Sequence, residues 1–287
     1  MTCRRAGILS FLLLAAGCGR HQAIATPAAT INGRPISWPE LQANVTYAAR
    51  FFRLGEPAQG GTCMVKVPKS PVCERLLQQV LARLIEERVI AGFAAHHHMT
   101  LSSGDREGAA GQAALLLDQG SGIPATRAGR AMLTGVILRE MVVQQVEKAI
   151  TATAPGAGIS YHIQRFLVPA FRSRSQAYRS AIQFAVGGSA PPAGTRSRVE
   201  WVAAFRLGRA LRASLRLASP GDFVGPFVKP GGYQVVRLLG TGFHRYGAPA
   251  RRDLTSRLFH AWLAGEIQKA SIECFTERGK QTVCPKS

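Results

Sequence analysis

A break in the hydrophobic pattern at Ala154–Gly158 constrains the fold of this 287-residue chain more than any other feature. The segment reads Ala-Pro-Gly-Ala-Gly, and both proline and glycine interrupt helices. Before it, and again after residue 253, apolar residues recur at the three- and four-residue spacing of amphipathic helices. Between residues 159 and 242, short apolar runs alternate with helical stretches. The sequence therefore predicts an α+β chain in the order helices, α/β insert, final helix.

Four helices are predicted before the break. Ser37 followed by Glu40 forms a capping-box signature, which places the start of the first helix at about Trp38. Asn32-Gly33, just upstream, predicts a turn. The expected helices cover residues 38–54, 74–97, 108–117 and 128–150.

The insert and the segment after it continue the pattern. Apolar runs predict strands at residues 163–168, 199–205 and 233–239. Helical spacing predicts helices at residues 176–186, 206–217 and 253–270.

Residues 1–17 have the pattern of an export signal. Arg4 and Arg5 precede an apolar run at residues 8–14, and small residues follow it. The run is too short to cross a bilayer, which needs roughly 20 residues. The sequence therefore predicts export of the chain.

Cys18 directly follows Ala15-Ala16-Gly17 and resembles the cysteine of the lipobox in bacterial lipoproteins. That resemblance implies removal of residues 1–17 and lipidation of the Cys18 thiol; the alternative is an ordinary secretory signal with an incidental cysteine. Residues 18–30, rich in Ala, Thr and Pro, are interpreted as a tether. We therefore expect a membrane-anchored lipoprotein that faces the periplasm or the cell exterior.

Four cysteines remain once Cys3 and Cys18 are set aside. They form two local pairs, each ten residues apart: Cys63 with Cys73, and Cys274 with Cys284. Four cysteines allow three pairings, and proximity favours the two local ones. Neither pair has the C-x₂₋₄-C spacing of a zinc site, so we predict disulfides and no metal.

The charge of the chain is strongly basic, with 36 Lys and Arg against 16 Asp and Glu. Such a balance first suggests nucleic acid, but an exported protein meets membrane surfaces and polypeptides instead. Between Arg165 and Arg257 the chain carries 15 Arg and 1 Lys against 3 acidic residues. These side chains either are simply solvated or form a surface for acidic segments or lipid headgroups. We expect no nucleic-acid partner.

The N-terminal part resembles a known family. The segment Ile31-Asn-Gly-Arg-Pro-Ile-Ser37 is similar to the "(V/I)NG-x-x-I(S/T)" opening of SurA/PrsA-type extracytoplasmic foldases. Val80–Glu87, followed by Ala94-Ala95 and Met99–Ser102, resembles the "VLxxLIxxxLLxxxAxxxGIxVS" helix of the same family.

This resemblance implies a SurA-N-like, mainly helical chaperone domain. It is expected to comprise residues 31–151 and 247–287, with the C-terminal helix packing back on the N-terminal helices.

The later half resembles the parvulin (PpiC-type) peptidyl-prolyl isomerase domain. Gln164–Val168 corresponds to its "RHILV" strand, and Val199–Val202 resembles its "LGWF" strand. Pro220–Phe227 and Gly232–Leu238 resemble its "PGEVSGPV…GYHIIKL" segment. The resemblance implies an inserted parvulin-like domain at residues 158–243.

The expected catalytic site of that domain is degenerate. Parvulin sites have two histidines across a small apolar pocket, whereas Arg165 and Gln234 occupy those two positions in this sequence. The sequence has no cysteine between residues 74 and 273. The substrate-binding candidates, which alternatively are ordinary sheet core, are Phe166, Trp201, Phe227 and Tyr233.

The resemblance implies a folding factor that binds unfolded or extended exported polypeptides and needs no cofactor. Prolyl rotation has a barrier of roughly 18–20 kcal/mol and breaks no covalent bond, so an apolar cleft can accelerate it without proton transfer. The sequence thus leaves open whether isomerase activity is weak, lost, or retained in an atypical pocket. A non-catalytic lipoprotein scaffold of an envelope or polysaccharide-export apparatus is a further alternative.

Overall fold

The computed structural model of the chain describes residues 26–51, 71–119, 123, 125–170, 173–187, 190–276 and 280–285. The predicted signal peptide and the two cysteines Cys18 and Cys63 lie outside these residues. The described elements are β1 (Ala29–Ile31), β2 (Arg34–Ile36), α1 (Trp38–Phe51), α2 (Pro71–His96), α3 (Ser103–Asp118), α4 (Arg127–Thr151), β3 (Ala157–Pro169), α5 (Arg174–Gly187), β4 (Arg196–Ala203), α6 (Arg209–Leu217), β5 (Phe223–Lys229), β6 (Gly232–Arg245), α7 (Ala248–Lys269), β7 (Ile272–Phe275) and β8 (Gln281–Thr282). They confirm the predicted α+β class.

The chain forms two compact units. The terminal unit comprises Met1–Ile85 and Ser271–Ser287, and the central unit comprises Glu86–Ala270. Helix α2 begins in the first and ends in the second. No helix among the described residues is long and apolar enough to cross a membrane.

The terminal unit contains a four-stranded antiparallel sheet, the terminal sheet, in the order β2-β1-β7-β8. The hairpin between β1 and β2 turns at Asn32 and Gly33, whose φ angles are 49° and 77°. Two successive positive φ angles define the type I′ turn that suits a two-residue hairpin, and Asn-Gly is its preferred pair. The turn predicted at these residues is confirmed. Asn32 Oδ1 also accepts a hydrogen bond from the Ser271 backbone N–H at 2.8 Å.

Two strands of the terminal sheet, β7 and β8, come from the end of the chain. Ala29 lies opposite Cys274 in the β1–β7 pair. A disulfide joins Cys274 to Cys284, which follows β8. The β1–β7 pairing thus joins the two ends of the chain, and the disulfide ties β7 to the segment that follows β8.

Helix α1 begins where the sequence predicts. Ser37 Oγ accepts a hydrogen bond from the Glu40 N–H at 3.2 Å, as an N-cap does. Leu41 and Val45, four residues apart, are buried. The predicted end at residue 54 lies outside the described residues.

Helix α3 in the central unit begins at Ser103, five residues before the predicted start at 108. The reason is a capping box: Ser102 Oγ accepts from the Asp105 N–H at 3.1 Å, and Asp105 Oδ2 accepts from the Ser102 N–H at 2.9 Å. Asp105 accepts hydrogen bonds from the Ser102 hydroxyl and from the Ser102 backbone N–H. Both hold the pKa of Asp105 below its usual value, and the hydroxyl has the larger effect. The Ser-x-x-Asp pattern is the sequence signal for this start.

The last long helix, α7, packs on an N-terminal helix. The Trp262 ring lies edge-on to Phe93 near the end of α2, with centroids 4.8 Å apart, and stacks with Phe259 of its own helix at 5.4 Å. The predicted return of the C-terminal helix is confirmed. It starts at Ala248 instead of residue 253 because Pro249 occupies its first turn, where a missing N–H costs nothing.

The central unit contains a second antiparallel sheet, the central sheet, in the order β4-β3-β6-β5. Strands β3 and β6 pair from Ala157 opposite Arg245 to Pro169 opposite Gly232. Both strands are therefore longer than the apolar runs that predict them, residues 163–168 and 233–239. Strand β5 is not predicted, because a Gly225-Pro226 pair interrupts it and shifts its register against β6.

Helices cover the central sheet on two faces. Because side chains alternate along a strand, β3 contributes to two separate cores. The α6 face packs Leu211 and Leu215 against the buried side chains of Tyr161, Ile163, Val236 and Leu238. The α5 face packs Ala181 and Phe184 against those of Phe166, Val168 and Val235.

Candidate functional site

A cavity of about 330 Å³ opens on the α6 face, next to the residues that α6 covers. Its volume lies at the lower end of the range of small ligand pockets. We call it the cationic cavity; its lining residues are Arg165, Leu167, Arg196, Ser197, Arg198, Lys229, Pro230 and Gln234. The two positions at which the parvulin motifs carry histidine, Arg165 and Gln234, lie together in this cavity.

Arg165 enters the cavity from the middle of β3. It follows the buried Ile163 on the same face, and its side chain is partly exposed. Its Nε donates a hydrogen bond to Glu200 Oε1 at 2.6 Å, across the β3–β4 pair. Arg198 Nε lies 3.7 Å from the other oxygen of the same carboxylate. One carboxylate thus faces two guanidinium groups.

Gln234 enters from β6, opposite Leu167 of β3. Only 6% of the residue is exposed. Its Oε1 is buried and, among the described residues, has no hydrogen-bond donor. Buried polar atoms in folded proteins nearly always have a partner. A ligand that contacts Gln234 could therefore supply the missing hydrogen-bond donor.

A tight hairpin positions the third side of the cavity. Lys229 of β5 pairs with Gly232 of β6 across Pro230 and Gly231, whose φ is +80°. Proline followed by a positive-φ glycine is the signature of a type II turn. A Cβ on Gly232 would lie 2.1 Å from the Val168 carbonyl oxygen, so glycine is required where the hairpin meets β3.

Phe227 lies on the same face as Gln234. The two residues pair across β5 and β6, and Phe227 packs against the core below α6. Gly225, with φ +118°, lies close to both residues. A Cβ there would be 2.8 Å from the Gln234 carbonyl oxygen and 3.2 Å from the Phe227 ring. This glycine lets the strand bend so that Phe227 and Gln234 are neighbours.

The other aromatic candidates lie on the opposite face. Phe166 is 6% exposed and contacts the Phe184 ring at 4.8 Å. Tyr233 lies beside this α5-face core, with its ring 5.4 Å from that of Tyr178. Phe166 and Tyr233 therefore contribute to the core of the α5 face.

Trp201 lies on that same face, in a separate aromatic cluster. It pairs with His162 across β3 and β4, and their rings stack at 4.8 Å with an interplanar angle of 9°. The His244 ring lies 4.0 Å away. By strand alternation this cluster is on the side of Phe166. Of the four aromatic candidates, Phe227 alone shares a face with Arg165 and Gln234.

Sequence reasoning does not identify Arg196, Arg198, Glu200 or Lys229 as site residues. The signal for three of them is present: Arg196, Arg198 and Glu200 alternate along β4 and so share one face. The predicted strand starts at residue 199 and misses this alternation. Lys229 has a weaker signal, its place just before the Pro-Gly turn.

The chemistry available in the cationic cavity is hydrogen bonding and charge. Among the described residues, those that line it include no histidine, cysteine or carboxylate. The described residues also contain no group of three His, Cys, Asp or Glu that could hold a metal ion. The arrangement fits binding of an anionic or amide-rich ligand.

Comparison with known proteins gives structural similarity only. No family model matches the sequence, and no curated protein does. The chain is similar to the crystal structure of the peptidylprolyl isomerase PrsA from Bacillus anthracis, with 14% identity over 66% of this chain and 96% of that one and a TM-score of 0.41.

Two further solved structures are of the same kind. The SurA-like chaperones PEB4 and Cj1289 of Campylobacter jejuni are represented by a chain with 8% identity, coverage of 88% of this chain and 100% of that one, and a TM-score of 0.27. The foldase protein PrsA from Lactococcus lactis shows 13% identity, coverage of 85% and 91%, and a TM-score of 0.28. These are proteins of the type that the sequence motifs resemble. At such TM-scores no residue of this chain is matched to a residue of theirs.

Proposed function

We propose that the protein is an extracytoplasmic folding factor that binds unfolded or extended exported polypeptides, with isomerase activity weak or lost. One observation carries the proposal: Arg165 and Gln234, the positions of the two parvulin histidines, line one cavity on the central sheet. The two motifs that contain these positions are short and lie far apart in the sequence. Their convergence at one cavity is what supports a ligand site of parvulin type.

The lining of the cavity supports the reduced activity. Acceleration of prolyl rotation without proton transfer requires an apolar cleft that desolvates the imide nitrogen. The cationic cavity instead carries four positive side chains, and Phe227 lies beside it on the same face. A solvated, charged cavity binds a peptide backbone but lowers the barrier of roughly 18–20 kcal/mol poorly.

The proposed setting is the outer side of a membrane. Removal of residues 1–17 and lipidation of Cys18 would leave residues 18–30 as a tether. The proposed domains have the boundaries given by the resemblance, 31–151 with 247–287 for the chaperone part and 158–243 for the parvulin-like part. These boundaries differ from those of the two compact units, which divide the chain after residues 85 and 270. The disulfide between Cys274 and Cys284 agrees with an oxidising compartment.

Two assays on the mature chain test the proposal. Binding of carboxymethylated α-lactalbumin, which stays unfolded without reductant, is measured by fluorescence anisotropy; a proline-containing tetrapeptide reports isomerisation. We expect saturable binding of the unfolded protein and an isomerisation rate near background. Absence of binding to this and other unfolded clients would refute the folding role.

The alternatives predict other outcomes. A high isomerisation rate that the double variant Arg165→Ala/Gln234→Ala abolishes would establish an active isomerase with an atypical pocket. A stable stoichiometric envelope partner recovered without unfolded clients would establish a scaffold. For the anchor, Cys18→Ser must change both the mature mass and the membrane fractionation; an unchanged mass would disprove lipidation.

A further inference from the structure

The cationic cavity has more positive charge than the neighbouring carboxylate of Glu200 neutralises. Its lining contains Arg165, Arg196, Arg198 and Lys229, and the neighbouring Glu200 contacts only the first and third of them. Arg196 and Lys229 are exposed and make no ion pair within the described part of the chain. A ligand that supplies carboxylates would complete these pairs with charge-assisted hydrogen bonds.

The buried amide oxygen of Gln234 requires the opposite kind of partner. Oε1 accepts hydrogen bonds, so a carboxylate or a fully deprotonated phosphate, which has no donor, leaves it unsatisfied. A polypeptide offers both groups at once: an N–H for Oε1 and an acidic side chain for the cations. The two requirements of the cavity are therefore met together by a peptide and not by an anion that lacks a hydrogen-bond donor.

We infer that the cationic cavity selects acidic segments of extended polypeptides, with a backbone N–H on Gln234 Oε1 and a carboxylate among Arg196, Arg198 and Lys229. This inference rests on the proposed function and names the class of client segment. The carboxylate of Glu200 competes with the ligand for Arg165, because its Oε1 already lies 2.6 Å from Arg165 Nε. Removal of that negative charge would leave Arg165 free for the ligand.

The experiment uses three labelled ten-residue Ala/Ser peptides that carry three glutamates, three glutamines or three lysines. Their dissociation constants for the mature chain are measured by anisotropy at about 0.15 M salt, where the Debye length is about 8 Å and long-range attraction is screened. We expect the glutamate peptide to bind about tenfold more tightly than the glutamine peptide, and the lysine peptide most weakly.

Matched variants distinguish peptide binding in the cavity from attraction to the overall positive charge of the protein. The triple variant Arg196→Gln/Arg198→Gln/Lys229→Gln is expected to reduce glutamate-peptide affinity to the glutamine level. The control Arg209→Gln/Arg216→Gln/Arg251→Gln removes the same charge from exposed positions outside the cavity lining and is expected to bind as wild type. Equal loss in both variants would overturn the inference.

Two single variants test the two halves of the recognition. Glu200→Gln is expected to tighten glutamate-peptide binding a few-fold, since the competitor is gone. Gln234→Leu removes the unsatisfied buried oxygen, so the fold is retained while both the glutamate and the glutamine peptide bind several-fold more weakly. No change in either variant would contradict the assignment.

The remaining outcomes are distinct. Equal binding of all three peptides, or of none while unfolded α-lactalbumin still binds, would overturn the inference and leave the folding role intact. Failure of every polypeptide would refute the folding role itself. If phosphatidylglycerol vesicles bind wild type and the control but not the triple variant, and the glutamate peptide does not bind, the cavity recognises lipid and the inference is wrong.

Discussion

The terminal sheet and the central sheet both have four antiparallel strands, but their strands differ in length. Those of the terminal sheet have two to four residues. Those of the central sheet have seven to fourteen. Long strands bury two apolar cores beneath α5 and α6, whereas the short strands combine buried Ile31 and Ile36 with a type I′ turn and a disulfide.

This difference shows that, in the central sheet, the residues that stabilise the fold and those that could bind a ligand are different ones. The central sheet is held by packing on both faces, so charged side chains can occupy its uncovered part at little cost in stability. The terminal sheet buries Ile31 and Ile36 but has only short strands, so we expect the turn and the disulfide to contribute a larger share of its stability. Four substitutions test this contrast.

The largest effect is expected in the core of the central sheet. Ile163 is fully buried under α6, and Ile163→Ala should lower the free energy of unfolding by about 3 kcal/mol through lost burial and a cavity. Ile159 on the same strand is 53% exposed and is the matched control, with an expected loss below about 1 kcal/mol. Urea denaturation measures both; equal losses would show that α6 does not create a packed core.

The second effect concerns the disulfide of the terminal sheet. The double variant Cys274→Ser/Cys284→Ser should destabilise this sheet by about 2–3 kcal/mol, the typical value for a short closed loop. Hydrogen exchange should accelerate at the backbone amides of β7 and β1, while the amides of β3 and β6 keep their protection. Faster exchange throughout the central sheet would mean that the two sheets are not independently stabilised.

A smaller effect is expected at the type I′ turn. Gly33 has a φ of +77°, so Gly33→Ala should cost about 1 kcal/mol of terminal-sheet stability. Gly265→Ala is the control: it lies inside α7 with nothing within 4 Å of an added Cβ, and alanine there should be neutral or stabilising. If both variants behave alike in thermal unfolding, the turn does not limit the terminal sheet.

The smallest effect is expected in the cationic cavity. The Arg165–Glu200 pair is partly exposed, so Glu200→Gln should change the free energy of unfolding by less than about 1 kcal/mol. Its effect on glutamate-peptide affinity is expected to be several-fold. A large loss of stability would mean that this ion pair supports the sheet and is not available to a ligand.

Elements with a local signal were predicted well. Helix α4 spans Arg127–Thr151 against a predicted 128–150, because its apolar spacing is visible in the sequence. Strands β7 and β8 carry no such signal, since β7 exists through pairing with β1 more than two hundred residues away. Strand β3 starts six residues before its predicted start because Ser160 and His162 interrupt the apolar pattern while the backbone still pairs.

The site was predicted in part. The motif positions Arg165 and Gln234 reach one cavity, but adjacent residues on a strand point to opposite faces. Phe166 therefore packs on the α5 face, while its neighbour Arg165 lines the cavity. A strand predicted to begin at residue 196 places the side chains of Arg196 and Arg198 on the face of Glu200, and so in the predicted site as well.

The pairing of β1 with β7 has a consequence for the order of folding. Thr30 and Glu273 contact each other across 243 residues of chain, and synthesis proceeds from the N-terminus. The central unit is continuous in sequence and can fold while β7 is still being made. Until then one edge of β1 remains unpaired, and open strand edges invite pairing with other chains. Completion of the terminal sheet thus waits for the synthesis of β7, and an interrupted chain would leave an exposed, aggregation-prone edge on β1.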